Sequence, residues 1–309
     1  MRIVISEFMD EAAVESLRQR FDVDYAPGLV DDRPALLARL IDAHALIVRN
    51  RTRVDAALVQ QAPLLLVVGR LGVGLDNIDM AVCEARGIAV FPATGANALA
   101  VAEYVILAAI TLLRGAWQAT SAVAAGDWPR AAFSSGRETA GKTLGLVGFG
   151  GIGQLTAARA RALGMRVVAS DPALPGDLPL WREQGVEPLS LERLLAEADV
   201  VSLHVPLTAT TRGLIDAARL AGMKAGAILI NTSRGGIVDE AALALALAEG
   251  RLGGAALDVF EHEPLPGAST LAGVPNLLLT PHIAGVTLES NQRVSTMIAD
   301  RVSRFLSAG

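Results

Sequence analysis

The sequence predicts an α/β protein made of two doubly wound parallel-sheet domains, and three observations support this. Short apolar runs of strand length alternate with helical segments along the 309-residue chain, as in a parallel sheet covered by helices. A glycine cluster follows a strand in the second half of the chain, but none follows the first strand. A long alanine-rich segment lies between the two halves.

The first half has five predicted strands, with helices predicted at Asp10–Arg20 and Arg33–Asp42. The strands are Arg2–Ile5, Asp22–Tyr25, Ala45–Val48, Leu64–Val68 and Ile88–Phe91. A helix is then predicted from Ala96 to Ala124. Its aliphatic residues lie on most faces, so we expect it to be buried between domains or subunits.

The second half repeats the alternation, and a final helix at Leu288–Leu306 is expected to return to the first domain. The predicted strands are Leu144–Val147, Arg166–Ser170, Val200–His204, Ala227–Ile230, Ala255–Val259 and Leu277–Leu279. We therefore predict one domain at residues 1–97 plus 286–309 and another at residues 98–285.

The glycine cluster directly follows the strand Leu144–Val147. Gly148, Gly150 and Gly153 have the spacing G-x-G-x-x-G, in which the helix N-terminus and the loop amides cradle a pyrophosphate. A second strand ends at Asp171, close to the ~20-residue distance of a ribose-binding carboxylate. The sequence therefore predicts a Rossmann-like dinucleotide site.

Asp171 also bears on the choice of dinucleotide. A carboxylate beside the ribose repels the 2′-phosphate of NADP, and residues 172–181 contain no Lys or Arg that would neutralise it. These features favour NAD. An arginine from a distant loop would reverse the preference.

Composition excludes several classes of protein. The net charge of −5 argues against a nucleic-acid partner, and Cys83 is the only cysteine, which fits a reducing compartment. Acidic residues near Met1 argue against a signal sequence, and the apolar window 88–113 is interrupted by Pro92, Gly95 and Glu103. We expect a cytoplasmic protein with no membrane partner and no metal site.

Three polar residues follow predicted strands in the second half: Arg234, Glu263 and His282. Open α/β sheets bind ligands at that edge. Histidine is an acid/base suited to hydride transfer between an alcohol and a carbonyl, a carboxylate would fix its tautomer, and an arginine would clamp a 2-oxo acid's carboxylate. Each also has a simpler interpretation, as a satisfied loop histidine, a solvated acid or a surface arginine.

A second group of basic residues lies in the first half. Arg49, Arg51 and Arg53 follow the strand Ala45–Val48 and share one face if the segment is extended. With Arg70 they would frame a second anionic group on the substrate, such as a phosphate or sulfonate. The alternative is a solvated basic loop.

Taken together, these motifs resemble the D-isomer-specific 2-hydroxyacid dehydrogenases, in the phosphoglycerate-dehydrogenase-like branch. The resemblance extends over nearly the whole chain, and the opening stretch Ile5–Asp10 resembles sulfolactate dehydrogenases of that branch. The segments that carry it are 69–79, 97–103, 141–153, 203–215, 230–240, 257–264 and 280–285.

The resemblance implies a role for each matching residue. His282 would be the acid/base, Glu263 its partner and Arg234 the clamp on the substrate carboxylate, while Val73 and Gly74 would present amides to that carboxylate. It also implies a flavodoxin-like substrate domain, an NAD-binding domain, a cleft between them, and a homodimer built on the helix after Asn97. The implied cofactor contacts beyond the glycine fingerprint are Gly151, Ile152, Asp171, Val205, Pro206, Thr232, Asp258 and Gly285.

The chain departs from the family at Gly151, where an arginine often contacts the pyrophosphate, so NAD affinity is in question more than NAD binding. It ends at Gly309, and we expect no serine feedback through a C-terminal regulatory domain. The expected function is NAD-dependent interconversion of a D-2-hydroxy acid and its 2-oxo acid, with 3-phosphoglycerate or 3-sulfolactate as the type of substrate. An NADPH-dependent glyoxylate or hydroxypyruvate reductase and an NAD-sensing, corepressor-like binding protein remain alternatives.

Overall fold

A computed structural model describes residues 1–308, and its strands form two parallel sheets. The strands are β1 (Arg2–Ile5), β2 (Asp22–Tyr25), β3 (Ala45–Val48), β4 (Val67–Arg70), β5 (Ala89–Pro92), β6 (Thr143–Val147), β7 (Arg166–Ser170), β8 (Glu187–Pro188), β9 (Val200–Leu203), β10 (Ile228–Asn231), β11 (Gly254–Leu257) and β12 (Leu277–Leu279).

Helices connect most successive strands, as is usual for parallel pairing, while β11 and β12 are joined by a segment without a helix. The α-helices are α1 (Glu11–Arg18), α2 (Arg33–Leu40), α3 (Ala56–Gln61), α4 (Met80–Ala85), α5 (Ala98–Arg114), α6 (Thr120–Ala124), α7 (Gly151–Ala162), α8 (Pro179–Gln184), α9 (Leu191–Glu197), α10 (Ala217–Gly222), α11 (Glu240–Ala248) and α12 (Leu288–Ala308). Two 3₁₀ turns lie at Pro27–Asp31 and Ala116–Ala119.

The strand orders confirm the predicted α/β fold class. The five-stranded sheet has the order β2-β1-β3-β4-β5, and the seven-stranded sheet has the order β12-β11-β10-β9-β6-β7-β8. In both sheets the order reverses beside the first strand of the unit, which is where open α/β sheets bind ligands.

The chain forms two compact units. One contains Met1–Asn97 and the segment from Val286 onward, and the other contains Ala98–Gly285. In the first unit, α12 packs on β4 so closely that a Cβ at Gly69 would lie 2.6 Å from Ile298 Cγ2. The C-terminal helix is therefore part of the core of this unit.

The central strands of the second unit are buried along their whole length, as apolar runs in a parallel sheet are expected to be. Phe149, just after β6, stacks on Trp181 with ring centroids 4.8 Å apart. Phe149 belongs to the loop between β6 and α7, so this stack fixes the loop to the core.

Two sequence predictions need correction. The long helix does not run to Ala124: α5 ends at Arg114, and Gly115 adopts a φ of 62°, which ends a helix because it turns the chain out of the right-handed region. The predicted strand Leu64–Val68 is shifted to Val67–Arg70, since the residues before it form a turn.

The helix α5 is also more exposed than its composition suggests, and Leu107 is 60% exposed. Among residues 1–308, no single helix combines the length and apolarity needed to cross a bilayer. The pair Ala98–Arg114 and Ala116–Ala124, bent by 61°, meets that test only when taken together.

Asp199 joins two strands through a buried carboxylate. It accepts hydrogen bonds from the Thr143 amide at 2.9 Å and from Lys224 Nζ at 2.8 Å. Burial raises the pKa of Asp199, but these hydrogen bonds and the nearby lysine charge outweigh burial and leave it lowered. Its stabilising contribution is therefore full above the unfolded-state pKa of about 3.9 and is lost as pH falls through the lower folded value.

We predict that Asp199→Asn lowers the free energy of unfolding by about 1–3 kcal/mol at pH 7, because an amide cannot accept both bonds. The difference from wild type should shrink as the pH falls below 4. Urea unfolding at several pH values measures this, with Asp177→Asn, an exposed carboxylate, as the control. An Asp199 variant as stable as the control at pH 7 would contradict the assignment.

Candidate active site

The loop between β6 and α7 has little space around two of its three fingerprint glycines. Gly148 has a φ of 96°, and a Cβ there would lie 2.5 Å from the His204 carbonyl oxygen. At Gly153 a Cβ would lie 2.6 Å from the Gly148 carbonyl oxygen. Backbone atoms are the obstacles in both cases, so only glycine fits.

The other side of the loop is open. Gly150 and Gly151 have nothing within 4 Å of a built Cβ, and Gly150 caps α7 without a side-chain hydrogen bond. The first turn of α7 also has no acidic residue. Amides of Gly151, Ile152 and Gly153 at a helix N-terminus therefore suit the pyrophosphate of a dinucleotide.

Asp171 follows β7 and contacts this loop directly. Its carboxylate accepts the Phe149 amide at 2.8 Å and the Ala173 amide at 3.0 Å. It lines a cavity of about 420 Å³ together with Trp181 and Arg193. Arg193 is an arginine from a distant element of the kind that would favour NADP, but it pairs with Glu197 at 2.9 Å.

Two buried polar atoms in this unit have no hydrogen-bond partner: Thr232 Oγ1 and His204 Nδ1. Thr232 follows β10, and His204 follows β9, directly before Val205 and Pro206. The His204 ring is enclosed although the residue as a whole is partly exposed, and burial lowers its pKa to about 4, so the ring is uncharged at pH 7. Buried polar groups without a partner are consistent with a site in which a bound cofactor supplies the missing hydrogen bonds.

Beyond the ends of β11 and β12, the predicted acid/base pair is in contact. His282 Nδ1 lies 2.8 Å from Glu263 Oε2, and the other oxygen, Oε1, accepts the Phe260 amide at 3.0 Å. An ionised carboxylate only accepts hydrogen bonds, so Nδ1 carries the proton, and Nε2 of the neutral ring has a free lone pair.

His282 adopts a φ of 57°, which is unusual for a residue with a Cβ. The turn around it is held by Asp258, whose Oδ1 accepts the Ile283 amide and whose Oδ2 accepts the Ala284 amide, both at 2.8 Å. The Asp258 carboxylate is buried, and Oδ2 accepts one hydrogen bond in the structure. A nicotinamide contact at Asp258, which the sequence resemblance implies, stays a prediction.

Asp258 is itself supported from α5. Thr280 Oγ1 donates to Asp258 Oδ1 at 2.6 Å and lies 2.5 Å from the Tyr104 hydroxyl. Burial, the largest cause, raises the pKa of Tyr104, so its hydroxyl remains protonated at neutral pH. Sequence reasoning missed Tyr104, because nothing in the sequence of a helix shows which distant loop it contacts.

Arg234 lies in the loop after β10, and its Nη1 donates to the Ser233 carbonyl oxygen at 2.6 Å. The next residue, Gly235, brings this loop against the one that carries Glu263: a Cβ there would lie 1.8 Å from the Phe260 carbonyl oxygen. The loop of Glu263 thus contacts the loop of Arg234 at Gly235 and the loop of His282 through the hydrogen bond to its imidazole, at one edge of the sheet.

In the first unit, Arg70 ends β4 and its guanidinium covers Gly72, where a Cβ would lie 1.5 Å from Nη1. Val73 follows and is 39% exposed, and Gly74 is half-buried. Val73 and Gly74 therefore lie on an accessible loop. Their amide contacts with a substrate stay a prediction.

The segment after β3 is not extended, so the arginines at 49, 51 and 53 do not form a single face. It bends at 50–52 around the carboxylate of Glu7, which accepts four of its amides. Arg51 then pairs with Asp31, and Arg49 donates to Asn291. The sequence analysis missed Glu7 and Asn291, since both are distant in the chain.

The family model described as "D-isomer specific 2-hydroxyacid dehydrogenase, NAD binding domain" matches residues 106–284. An (S)-sulfolactate dehydrogenase of Chromohalobacter salexigens is 56% identical over 305 residues, which cover 98% of each chain. A D-3-phosphoglycerate dehydrogenase of Mycobacterium tuberculosis is 41% identical over 306 residues; these are 99% of this chain and 57% of that protein.

A crystal structure of a Thermus thermophilus protein has a TM-score of 0.91 and 37% sequence identity. The alignment covers 100% of this chain and 97% of that one. The similarity therefore extends through both units taken in sequence, and not only through the part that the family model matches.

We predict that Gly153→Ala weakens NADH binding at least about tenfold, because the new methyl group collides with backbone at Gly148 and forces the loop apart. Gly151→Ala is the matched control, since its Cβ meets open space. NADH fluorescence titration measures both. Equal affinity for the two variants would show that the loop does not bind the dinucleotide.

Proposed function

The chain belongs to the D-isomer-specific 2-hydroxyacid dehydrogenase family, and we propose that its NAD-dependent interconversion of a 2-hydroxy and a 2-oxo acid acts on 3-sulfolactate. The observation that carries the catalytic assignment is the 2.8 Å hydrogen bond between His282 and Glu263 beyond the strand ends of the nucleotide-binding sheet. A histidine oriented by a carboxylate at that edge is suited to acid/base work on a bound hydroxy acid.

NAD fits this unit, as the open glycine loop, the uncapped helix α7 and the unsatisfied Thr232 hydroxyl indicate. When bound, the cofactor would supply the hydride acceptor for oxidation at C2 as NAD and the hydride donor for the reverse reaction as NADH. The amides of Gly151, Ile152 and Gly153 would hold its phosphates, and Asp171 would hold its ribose. Further contacts would come from Val205, Pro206, Thr232, Asp258 and Gly285.

His282 would remove the hydroxyl proton as the hydride leaves C2. Nε2 is the nitrogen with the free lone pair, so the O–H bond breaks as the N–H bond forms, and the oxygen's electrons form the carbonyl. Glu263 stabilises the imidazolium that results, because its carboxylate already accepts the Nδ1 proton. In reduction the same proton returns to the carbonyl oxygen.

Arg234 would hold the carboxylate of the substrate by a bidentate pair, which aligns C2 for hydride transfer. Its loop is fixed against the Glu263 loop at Gly235. The family resemblance also implies that the amides of Val73 and Gly74 bind a substrate carboxylate. This arrangement leaves the group on C3 as the part that distinguishes one substrate from another.

The stereochemical label of the relative's substrate agrees with a D-isomer-specific family. In lactate the carboxyl group outranks the methyl group at C2. In 3-sulfolactate the carbon that carries sulfur outranks the carboxyl group, because sulfur has a higher atomic number than oxygen. The arrangement called (R) in D-lactate is therefore called (S) in sulfolactate.

We propose 3-sulfolactate and not 3-phosphoglycerate as the substrate because this chain is more similar to the sulfolactate dehydrogenase than to the phosphoglycerate dehydrogenase. The sulfolactate dehydrogenase is 56% identical over 98% of both proteins, whereas this chain spans 57% of the phosphoglycerate dehydrogenase at 41% identity. Both substrates have a second anionic group. The proposal therefore depends on recognition of a C3 anion and names a sulfonate as that anion.

The same proposal includes a cytoplasmic homodimer. Large apolar side chains are exposed on α5 and the segment after it, including Leu107 at 60%, Trp117 at 41% and Trp128 at 80%. Exposed apolar residues along one segment are typical of a subunit contact. The cytoplasmic compartment is proposed from the single cysteine, Cys83, which is buried and free.

A turnover assay tests the substrate directly, with NAD or NADP and a panel of 3-sulfolactate, D-3-phosphoglycerate, D-glycerate and D-lactate. We expect the highest kcat/KM with 3-sulfolactate and NAD. A preference for D-3-phosphoglycerate or D-lactate would overturn the choice of substrate. NADH binding without turnover of any acid would favour the corepressor-like alternative, and a preference for NADP would favour a reductase.

We predict that His282→Ala lowers kcat by about 10²–10⁴-fold, the usual contribution of a general acid/base. NADH affinity should stay within about twofold, because the side chain acts on the substrate. His262→Ala, an exposed histidine of the neighbouring loop, is the control. Turnover that the two substitutions affect equally would remove His282 from the mechanism.

A further inference from the structure

Arg49 is the most enclosed of the arginines after β3, and its charge has no ion-pair partner. Burial lowers the pKa of Arg49 and the nearby charge of Glu7 raises it, with burial the larger effect. Across residues 1–308, no carboxylate oxygen lies within 4.0 Å of its guanidinium. A half-buried cation that forms no ion pair is costly for the folded protein. Such a group binds an arriving anion strongly, because water screens it little.

Glu7 determines the path of the backbone at Arg49. The buried carboxylate of Glu7 accepts the amides of Arg49 at 2.8 Å, Asn50 at 3.3 Å, Arg51 at 3.1 Å and Thr52 at 2.9 Å. Four donors around one carboxylate fold the segment into a closed loop. The carboxylate shapes this loop and forms no ion pair with the Arg49 guanidinium, although its charge acts on that group.

Two side chains then fix the direction of the guanidinium. The Arg49 Cζ lies 5.9 Å from the centre of the Phe8 ring, and Nη2 donates to Asn291 Oδ1 at 3.0 Å. The ring and the amide are both uncharged, so they orient the cation without neutralising it. Of its five N–H groups, one is used by this bond, and the others remain to bind an anion.

The neighbouring arginines are arranged differently. Arg51 is exposed and pairs with Asp31, and Arg53 is exposed. An exposed ion pair loses little free energy when it exchanges partners, because water screens both of its charges. Of these three arginines, Arg49 alone is half-buried, held in one orientation and without a carboxylate oxygen within 4.0 Å of its guanidinium.

We propose that Asn291, together with Glu7 and Phe8, is a positioning residue that sets Arg49 to receive the C3 sulfonate of the substrate. Asn291 is then a determinant of specificity, because a neutral amide at this position keeps the arginine's charge available. A carboxylate at position 291 would occupy the arginine instead. This inference rests on the proposed function, since it concerns the second anion of the same substrate.

The test compares Asn291→Asp with Asn291→Ala in the full-length enzyme with NAD. Asn291→Asp keeps the hydrogen-bond acceptor and adds a charge beside Arg49, so it should raise KM for 3-sulfolactate by about tenfold or more, the effect of one charge-assisted hydrogen bond. Asn291→Ala should raise KM for 3-sulfolactate by a smaller factor. For both variants, kcat and the KM for D-lactate should change by less than about twofold.

Gln292→Glu is the matched control, because it adds the same charge at the adjacent, exposed position of α12. We expect it to leave the KM values for both substrates within about twofold. The thermal midpoint of Asn291→Asp should not fall below that of wild type, because the new carboxylate pairs with a cation. A merely structural role for Asn291 would instead predict equal losses with both substrates and a lower midpoint.

The outcomes separate this inference from the proposed function. If wild type prefers 3-sulfolactate to D-lactate but Asn291→Asp changes both KM values equally, or neither, the inference is wrong and the function stands. If wild type shows no preference for a C3 anion, the proposed function fails first, whatever the variants show.

Discussion

The buried carboxylate of Asp258 holds the turn on which the candidate chemistry depends. It accepts the two amides that follow His282 and the hydroxyl of Thr280. These bonds support a left-handed backbone at His282 that a residue with a Cβ does not adopt without support. This backbone turn places the imidazole beside Glu263. The position of a surface histidine is therefore set by a carboxylate in the core.

We infer that the two units bind anions through different kinds of group. The nucleotide-binding unit uses backbone: glycines allow close approach, and the amides at the start of α7 face open space. In the proposed substrate site, the first unit would use a side chain, the guanidinium of Arg49, and the carboxylate of Glu7 holds the loop that carries it. Backbone amides suit the pyrophosphate of a dinucleotide, which many enzymes bind. A positioned arginine suits an anionic group on C3, which few substrates carry.

Much of the fold was predictable because strands in a buried parallel sheet are apolar throughout, and their ends are marked by glycine or polar residues. The approach of His282 to Glu263 followed from the same rule, since both residues come after neighbouring strands. The bonds of Glu7 to residues 49–52, of Asn291 to Arg49 and of Tyr104 to Thr280 join residues far apart in the chain. No local pattern in the sequence encodes such contacts, and Gly115 likewise ended a helix that composition alone would continue.

In the proposed mechanism, Glu263 fixes the tautomer of His282 and leaves Nε2 free to exchange a proton with the substrate. Nitrogen-15 NMR of the imidazoles tests this directly, because the chain has only four histidines and His282→Ala identifies the signal. For the neutral ring we expect a protonated Nδ1 and an unprotonated Nε2, with that distinction lost in Glu263→Gln. A His282 signal that shows the mixed tautomers of a free imidazole and does not respond to Glu263→Gln would contradict the account.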